Sequence, residues 1–132
     1  MPDPVVGAEA LARRSLGLDA VFCLLVGSAA VLAGGPIGRA VGLRGGVVRS
    51  AGLGAIGWAG TVGVWSVAED WQPPTRRVLL ANVVGAALLV GHAAFKGTPR
   101  GRAGVAGLSL AVAGFARVQL RALLLAEPRP GS

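Results

Sequence analysis

The chain has 132 residues, a length that suits one domain, with 53% hydrophobic and 14% charged residues and a formal net charge of +7. Soluble domains carry about 25% charged residues, so this composition excludes an ordinary soluble surface, and a mean hydropathy of +0.65 points to a bilayer instead. The basic residues behind the pI near 11.7 punctuate apolar runs without clustering and without interleaved aromatics, which argues against nucleic acid as a partner, while one Cys and one His cannot form an internal disulfide or a His/Cys metal site, and no cofactor is implied.

Residues 1–15, "MPDPVVGAEALARRS", carry Asp3 and Glu9 and lack a small-residue cleavage pattern. They read as a short solvated or interfacial tail. The first apolar segment follows at 16–35, "LGLDAVFCLLVGSAAVLAGG", with Pro36 as its stop. The connector "PIGRAVGLRGG" is expected to be a helix-breaking loop because of its Pro and Gly.

The second segment, 47–68, has Gly54, Gly57, Gly60 and Gly63 at every third position and Ala51, Ala55, Ala59 and Gly63 at every fourth. Lipid tails are as apolar as Leu, so helices in a bilayer gain by close van der Waals contact, which small side chains permit. This helix is therefore expected to be the central packing element. Its "GLGAIG" matches G-x-G-x-x-G formally. That fingerprint binds a pyrophosphate only where a strand turns into a helix, and here the glycines lie within one apolar segment.

"EDWQPPTRR" is the second connector, with Pro73 and Pro74 as a firm stop. The third segment is 78–95, "VLLANVVGAALLVGHAAF", and "KGTPRGR" links it to the fourth, 103–125. Each segment has about 18 to 23 residues, enough for a helix to cross a ~30 Å hydrocarbon core. Unpaired backbone groups are costly in lipid, so helices are the expected form. The fold class predicted is all-α, a four-helix transmembrane bundle over 16–125 with antiparallel up-down neighbours, between a tail at 1–15 and one at 126–132.

Four spans put both chain ends on one face, side A. Depth then follows from the ~1.5 Å rise per residue. Asp19, Asn82 and Arg117 fall in one layer beneath side A, with Glu69 and Asp70 at its rim. Each of the first three shares a helical stripe with small residues, so each is expected to point inward. Intramembrane charges seek partners, and Asp19 is the acid inside a span at that depth, so Arg117 is expected to pair with it. Gln119 lies behind Phe115, Val112 and Leu108 on a bulkier face and is expected to reach headgroups with Arg121. This layer is the candidate site, read either as structural polar glue or as a ligand site. His92 and Arg49 form a secondary polar position toward the opposite face, side B, with no carboxylate or thiol placed to make His92 catalytic. Trp65 and Trp71 suit an aromatic belt at side A, and Trp58 a mid-span packing position.

Arg13, Arg14, Arg76, Arg77, Arg117, Arg121 and Arg129 fall toward side A. Arg39, Arg44, Arg49, Lys96, Arg100 and Arg102 fall toward side B. Seven against six leaves the positive-inside rule undecided, and all six acids lie toward side A.

The motifs "LGLDAV", "LLANVVGAALL", "GTPRGRAGVAG" and "GFARVQLRAL" resemble those of small four-span integral membrane proteins from actinobacteria, mostly of unknown function. In that pattern the Asp, Asn and Gln positions recur. The resemblance covers most of 15–125 and implies a four-helix fold without an activity. Four spans with balanced charge also resemble small multidrug resistance proteins, which use an intramembrane Glu in the first span where this chain has the shallower Asp19.

The reading that follows is a multi-pass protein of the cell membrane, structural or interacting rather than catalytic. Its expected partners are the lipid bilayer and a further copy of itself or another membrane protein. A small oligomeric transporter is the alternative, and an enzyme acting on a lipid-like substrate a second one.

Overall fold

The computed structural model describes residues 3–127; Arg129 and most of the expected carboxy-terminal tail lie outside them. Among these residues there are five helices and no strand. They are α1 (Pro4–Leu32), α2 (Gly34–Val41), α3 (Gly45–Trp65), α4 (Gln72–Phe95) and α5 (Pro99–Ala126). The molecule is an all-α bundle in which α1, α3, α4 and α5 run up and down, each long and apolar enough to cross a membrane. Only 11–28% of the most apolar window of each is buried inside the bundle, so most of the apolar surface faces outward. That distribution suits lipid rather than water as the surrounding solvent.

The helix ends depart from the sequence expectation wherever proline was read as a stop. Residues 4–15 are not a tail. They are the first turns of α1, with Pro4 in the first turn and Asp3 as N-cap, its Oδ1 accepting from the Val5 N–H at 2.9 Å. Ala8 and Ala12 in this stretch are fully buried. Likewise Pro73 and Pro74 open α4 and Pro99 opens α5. The first N–H groups of a helix have no intrahelical partner, so a proline there loses nothing.

The first connector is itself a helix. Pro36 has no N–H for the carbonyl four residues back, and its ring would strike that carbonyl. The chain therefore breaks at Ala33 (φ −115°, ψ 28°) and restarts as α2 with Pro36 in the first turn. Gly42, at φ +73°, ends α2 in the left-handed region, which lets the Leu43 N–H turn back to the Gly38 carbonyl at 2.8 Å.

The helices do not form a closed square. In space they run α3, α1, α5, α4, with α1 and α5 central and α3 and α4 at the flanks, barely touching. This corrects the expectation that the second span is the packing centre. Gly54, Gly57, Gly60 and Gly63 have open space around them. The close approach is made by Gly52 instead. A Cβ on Gly52 would lie 2.6 Å from the Gly27 carbonyl oxygen of α1, and one on Gly27 would lie 2.7 Å from that of Gly52.

The side-chain core lies in the side A half. Leu16, Val62 and Val78 join α1, α3 and α4, with Trp58 and Trp65 packed against them. Ala8, Ala12, Trp71, Ala122 and Leu123 form a second cluster nearer the chain ends. Trp71 is thus a core residue and not part of a lipid-facing belt. Trp58 and Trp65 stack edge to face with centroids 5.8 Å apart, and the Arg77 guanidinium sits 5.7 Å from the Trp65 ring centroid.

Candidate functional site

One layer above that core, three helices each contribute a polar side chain to the interior. Asp19 of α1 is 1% exposed, Asn82 of α4 5% and Gln119 of α5 0%. They close a triangle. Asn82 Nδ2 donates to Asp19 Oδ2 at 2.6 Å and to Gln119 Oε1 at 3.1 Å. Gln119 Nε2 donates to the same Asp19 oxygen at 3.2 Å. The Cys23 thiol, one turn along α1, donates to Asp19 Oδ1 at 3.5 Å. Every contact of Asp19 is one in which the carboxylate accepts, and both Asn82 amide hydrogens are used.

Asp19 and Asn82, expected in a shared layer, meet there. Arg117 does not join them. That side chain is exposed, and among the described residues the ion pair present is Arg13 with Glu9 at 2.8 Å, far from this layer. The reason lies in the faces of α5. Two residues further along, at ~100° per residue, a side chain points nearly to the opposite face of the helix. The buried face of α5 runs through Val105, Ser109, Ala116, Gln119 and Leu123. The small residues sharing a stripe with Arg117, namely Gly107, Ala113 and Gly114, are exposed, as is Leu110 at 75%. Small residues occupy both sides of this helix, so the small stripe did not discriminate.

Glu69 and Asp70 are exposed in the α3–α4 loop and do not join the layer. Asp70 Oδ1 accepts from the Gln72 N–H at 3.3 Å. Glu69 contributes its backbone carbonyl, which, with that of Ser66, accepts from the Arg13 guanidinium at 3.4 and 3.0 Å. These bonds tie α1 to the loop at side A. Arg49 is exposed, its stem crossing Gly34 of α2. His92 places Nε2 2.7 Å from the Val41 carbonyl oxygen. Its neighbours at side B are also backbone carbonyls. The Thr98 N–H and hydroxyl both donate to Ala40 O, at 2.8 and 3.2 Å, and Arg102 donates to Ala93 O and Ala94 O.

Sequence reasoning missed Gln119. Its depth matches Asp19 and Asn82, and Ser109, Ala116 and Gln119 lie on one stripe of the α5 period. Ser109 bonds across to the Ala86 carbonyl at 3.0 Å, so this face is the contact with α4.

The chemistry open to this triangle is limited. A nucleophile or general base must reach a reacting atom, and these groups reach only each other. Among the described residues, no group of three or more His, Cys, Asp or Glu side chains could hold a metal ion. The residues 52–57 of the formal dinucleotide pattern lie inside the continuous helix α3. Two interhelical hydrogen bonds to one carboxylate, and a third between the two amides, instead fix the rotation and register of α1, α4 and α5.

Ser15, one turn before Asp19, has the single buried side-chain oxygen without a partner among the described residues. A buried hydroxyl left unpaired costs about 1–3 kcal/mol. Ser15→Ala is therefore expected to leave thermal stability in detergent unchanged or raised by about 1 kcal/mol; a clear loss would mean that the hydroxyl does have a partner.

Compared with protein-family models, with curated proteins and with solved structures, the chain shows no match. What fold and site define is a class: a small helical bundle with four apolar helices of membrane-crossing length, compatible with a small integral membrane protein.

Proposed function

We propose that this chain is a multi-pass protein of the cell membrane with a structural or interaction role and no catalytic one. The kinship with small four-span actinobacterial proteins belongs to the same proposal. The observation that carries it is the self-sufficiency of the polar layer. Asp19, Asn82 and Gln119 are buried and hydrogen-bonded to one another. A transporter that loads and unloads at an intramembrane carboxylate needs that group reachable from outside, and a buried, triply bonded Asp19 is not.

An interaction role draws further support from α3, a flank helix whose outer face presents Gly54, Gly57 and Gly60 to open space. Such a surface lets a second helix approach closely, whether from another copy of this chain or from a different membrane protein.

The test is photo-crosslinking in cells from a benzophenone amino acid placed at Gly57, with Leu18 on the exposed side of α1 as control. The expected result is a protein adduct of one defined mass from position 57 and only lipid adducts from position 18. Lipid adducts from both positions would remove the interaction role.

A further inference from the structure

Between α3 and α4, in the half of the bundle away from the polar triangle, lies a cavity of about 700 Å³. Small-molecule sites fall in the range of roughly 300–1,000 Å³. Its walls are Val26 and Ala30 of α1, Ala51 and Ala55 of α3, Leu88 of α4 and Val105 of α5, with α2 closing one end. Only one polar side chain lines it, His92, whose Nε2 already faces the Val41 carbonyl. Nothing inside recognises a polar molecule, so the interior suits hydrocarbon.

The cavity is open sideways. Ala51 and Leu88, on opposite walls, are both exposed, because α3 and α4 meet only near side A. Its length is also informative. From Gly45 at the start of α3 to Ala55 is ten residues, about 15 Å, which is half of a ~30 Å hydrocarbon core and so the depth of one leaflet.

The mouth is basic. Arg44 follows the lining residue Leu43, and Lys96 packs beside Gly42. Both cations are exposed. All six acids of the chain lie toward the other end. Cations at the end of an apolar slot select an anionic headgroup with its tail below.

We propose that this cleft binds one anionic glycerophospholipid of the side B leaflet, an acyl chain lying between α3 and α4 and the phosphate at Arg44 and Lys96. The inference rests on the membrane reading above. The test is native mass spectrometry of the protein purified in mild detergent and exchanged with dioleoyl phosphatidylglycerol, dioleoyl phosphatidylcholine or inorganic phosphate. The expected result is a one-to-one phosphatidylglycerol adduct at least five-fold more occupied than the phosphatidylcholine adduct, with no phosphate adduct. Ala51→Trp and Leu88→Trp each fill the slot from an exposed position and should lower that occupancy at least five-fold. Arg44→Gln with Lys96→Gln should abolish the preference between the lipids.

Equal binding of both lipids by the natural chain overturns the inference without any variant. So does unchanged phosphatidylglycerol occupancy in a folded Trp variant, or saturation by phosphate alone. Alkaline carbonate extraction separates the two levels. A chain that stays in the membrane fraction without lipid preference loses only this inference, whereas one released by carbonate loses the membrane reading as well.

Discussion

Asn82→Leu is expected to lower the unfolding free energy in detergent by about 3 kcal/mol, and Gln119→Leu by about 2 kcal/mol, whereas Arg117→Gln changes it by less than about 0.5 kcal/mol. The sizes follow from what each change leaves behind. Interhelical hydrogen bonds in membrane proteins average only about 0.6 kcal/mol in double-mutant cycles. A buried carboxylate stripped of a donor costs more than the bond itself, because the desolvation of that group is no longer offset. Asn82 makes the shortest bond to Asp19, at 2.6 Å, and also holds Gln119, so it ranks first. Gln119 makes one longer bond to the same oxygen, at 3.2 Å. Arg117 points outward and loses only a surface cation. Unfolding titrations in mixed micelles followed by circular dichroism measure all three. The double variant of Asn82 and Gln119 should cost less than the sum of the singles, since both changes empty the same site. Strict additivity, or a loss at Arg117 as large as that at Gln119, would contradict the triangle.

The second large effect is expected at the crossing of α1 and α3. Gly52→Leu should destabilise by about 3 kcal/mol or prevent folding, while Gly57→Ala, on another face of the same helix, should be neutral or stabilising by up to about 1 kcal/mol. Any side chain at Gly52 meets a backbone carbonyl, that of Gly27, within 2.6 Å, and a carbonyl in a helix cannot swing aside. The helices must separate, and the contact that small residues permit is lost along its length. Gly57 has nothing within 4 Å, so a methyl there only removes the flexibility of glycine. Folded yield and thermal midpoint of the two variants, compared in one detergent, decide the matter. Similar losses at both positions would mean that α3 uses a different face.

These contrasts show which parts of the molecule could be read from residue order. Four apolar segments of membrane-crossing length were plain, because hydropathy sums over a whole window and tolerates local error. Their ends were not. Proline at positions 36, 73 and 74 suggests a stop, while it sits in the first turn of the next helix each time. The sequence alone cannot separate the two roles without knowing where the unpaired N–H groups fall. Depth was legible for Asp19 and Asn82, since it needs only their place along the apolar run and not the true helix end. Facing was legible where one side of a helix is small and the other large, as around Asn82. It failed on α3 and α5, where glycine and alanine lie all round and the contact face is set by shape. On α5 the small-residue stripe and formal charge both point to Arg117, while the bulkier neighbours of Gln119 point it outward; the packing reverses both. Two amides satisfy a carboxylate without a second desolvated ion, which is the less costly arrangement in a low-dielectric interior.

The polar triangle also bears on how the bundle comes together. Asp19 is synthesised early, and its partners are 63 and 100 residues away along the chain. The hairpin of α1 and α3 is joined through Gly27 and Gly52, yet it holds an acid whose one hydrogen-bond donor within that hairpin is a weak thiol. The later pair, α4 and α5, brings two amides that are likewise incomplete without the acid. Each half thus carries an unfinished polar account that only the other can close, a handshake that ties late assembly to one correct pairing of the halves.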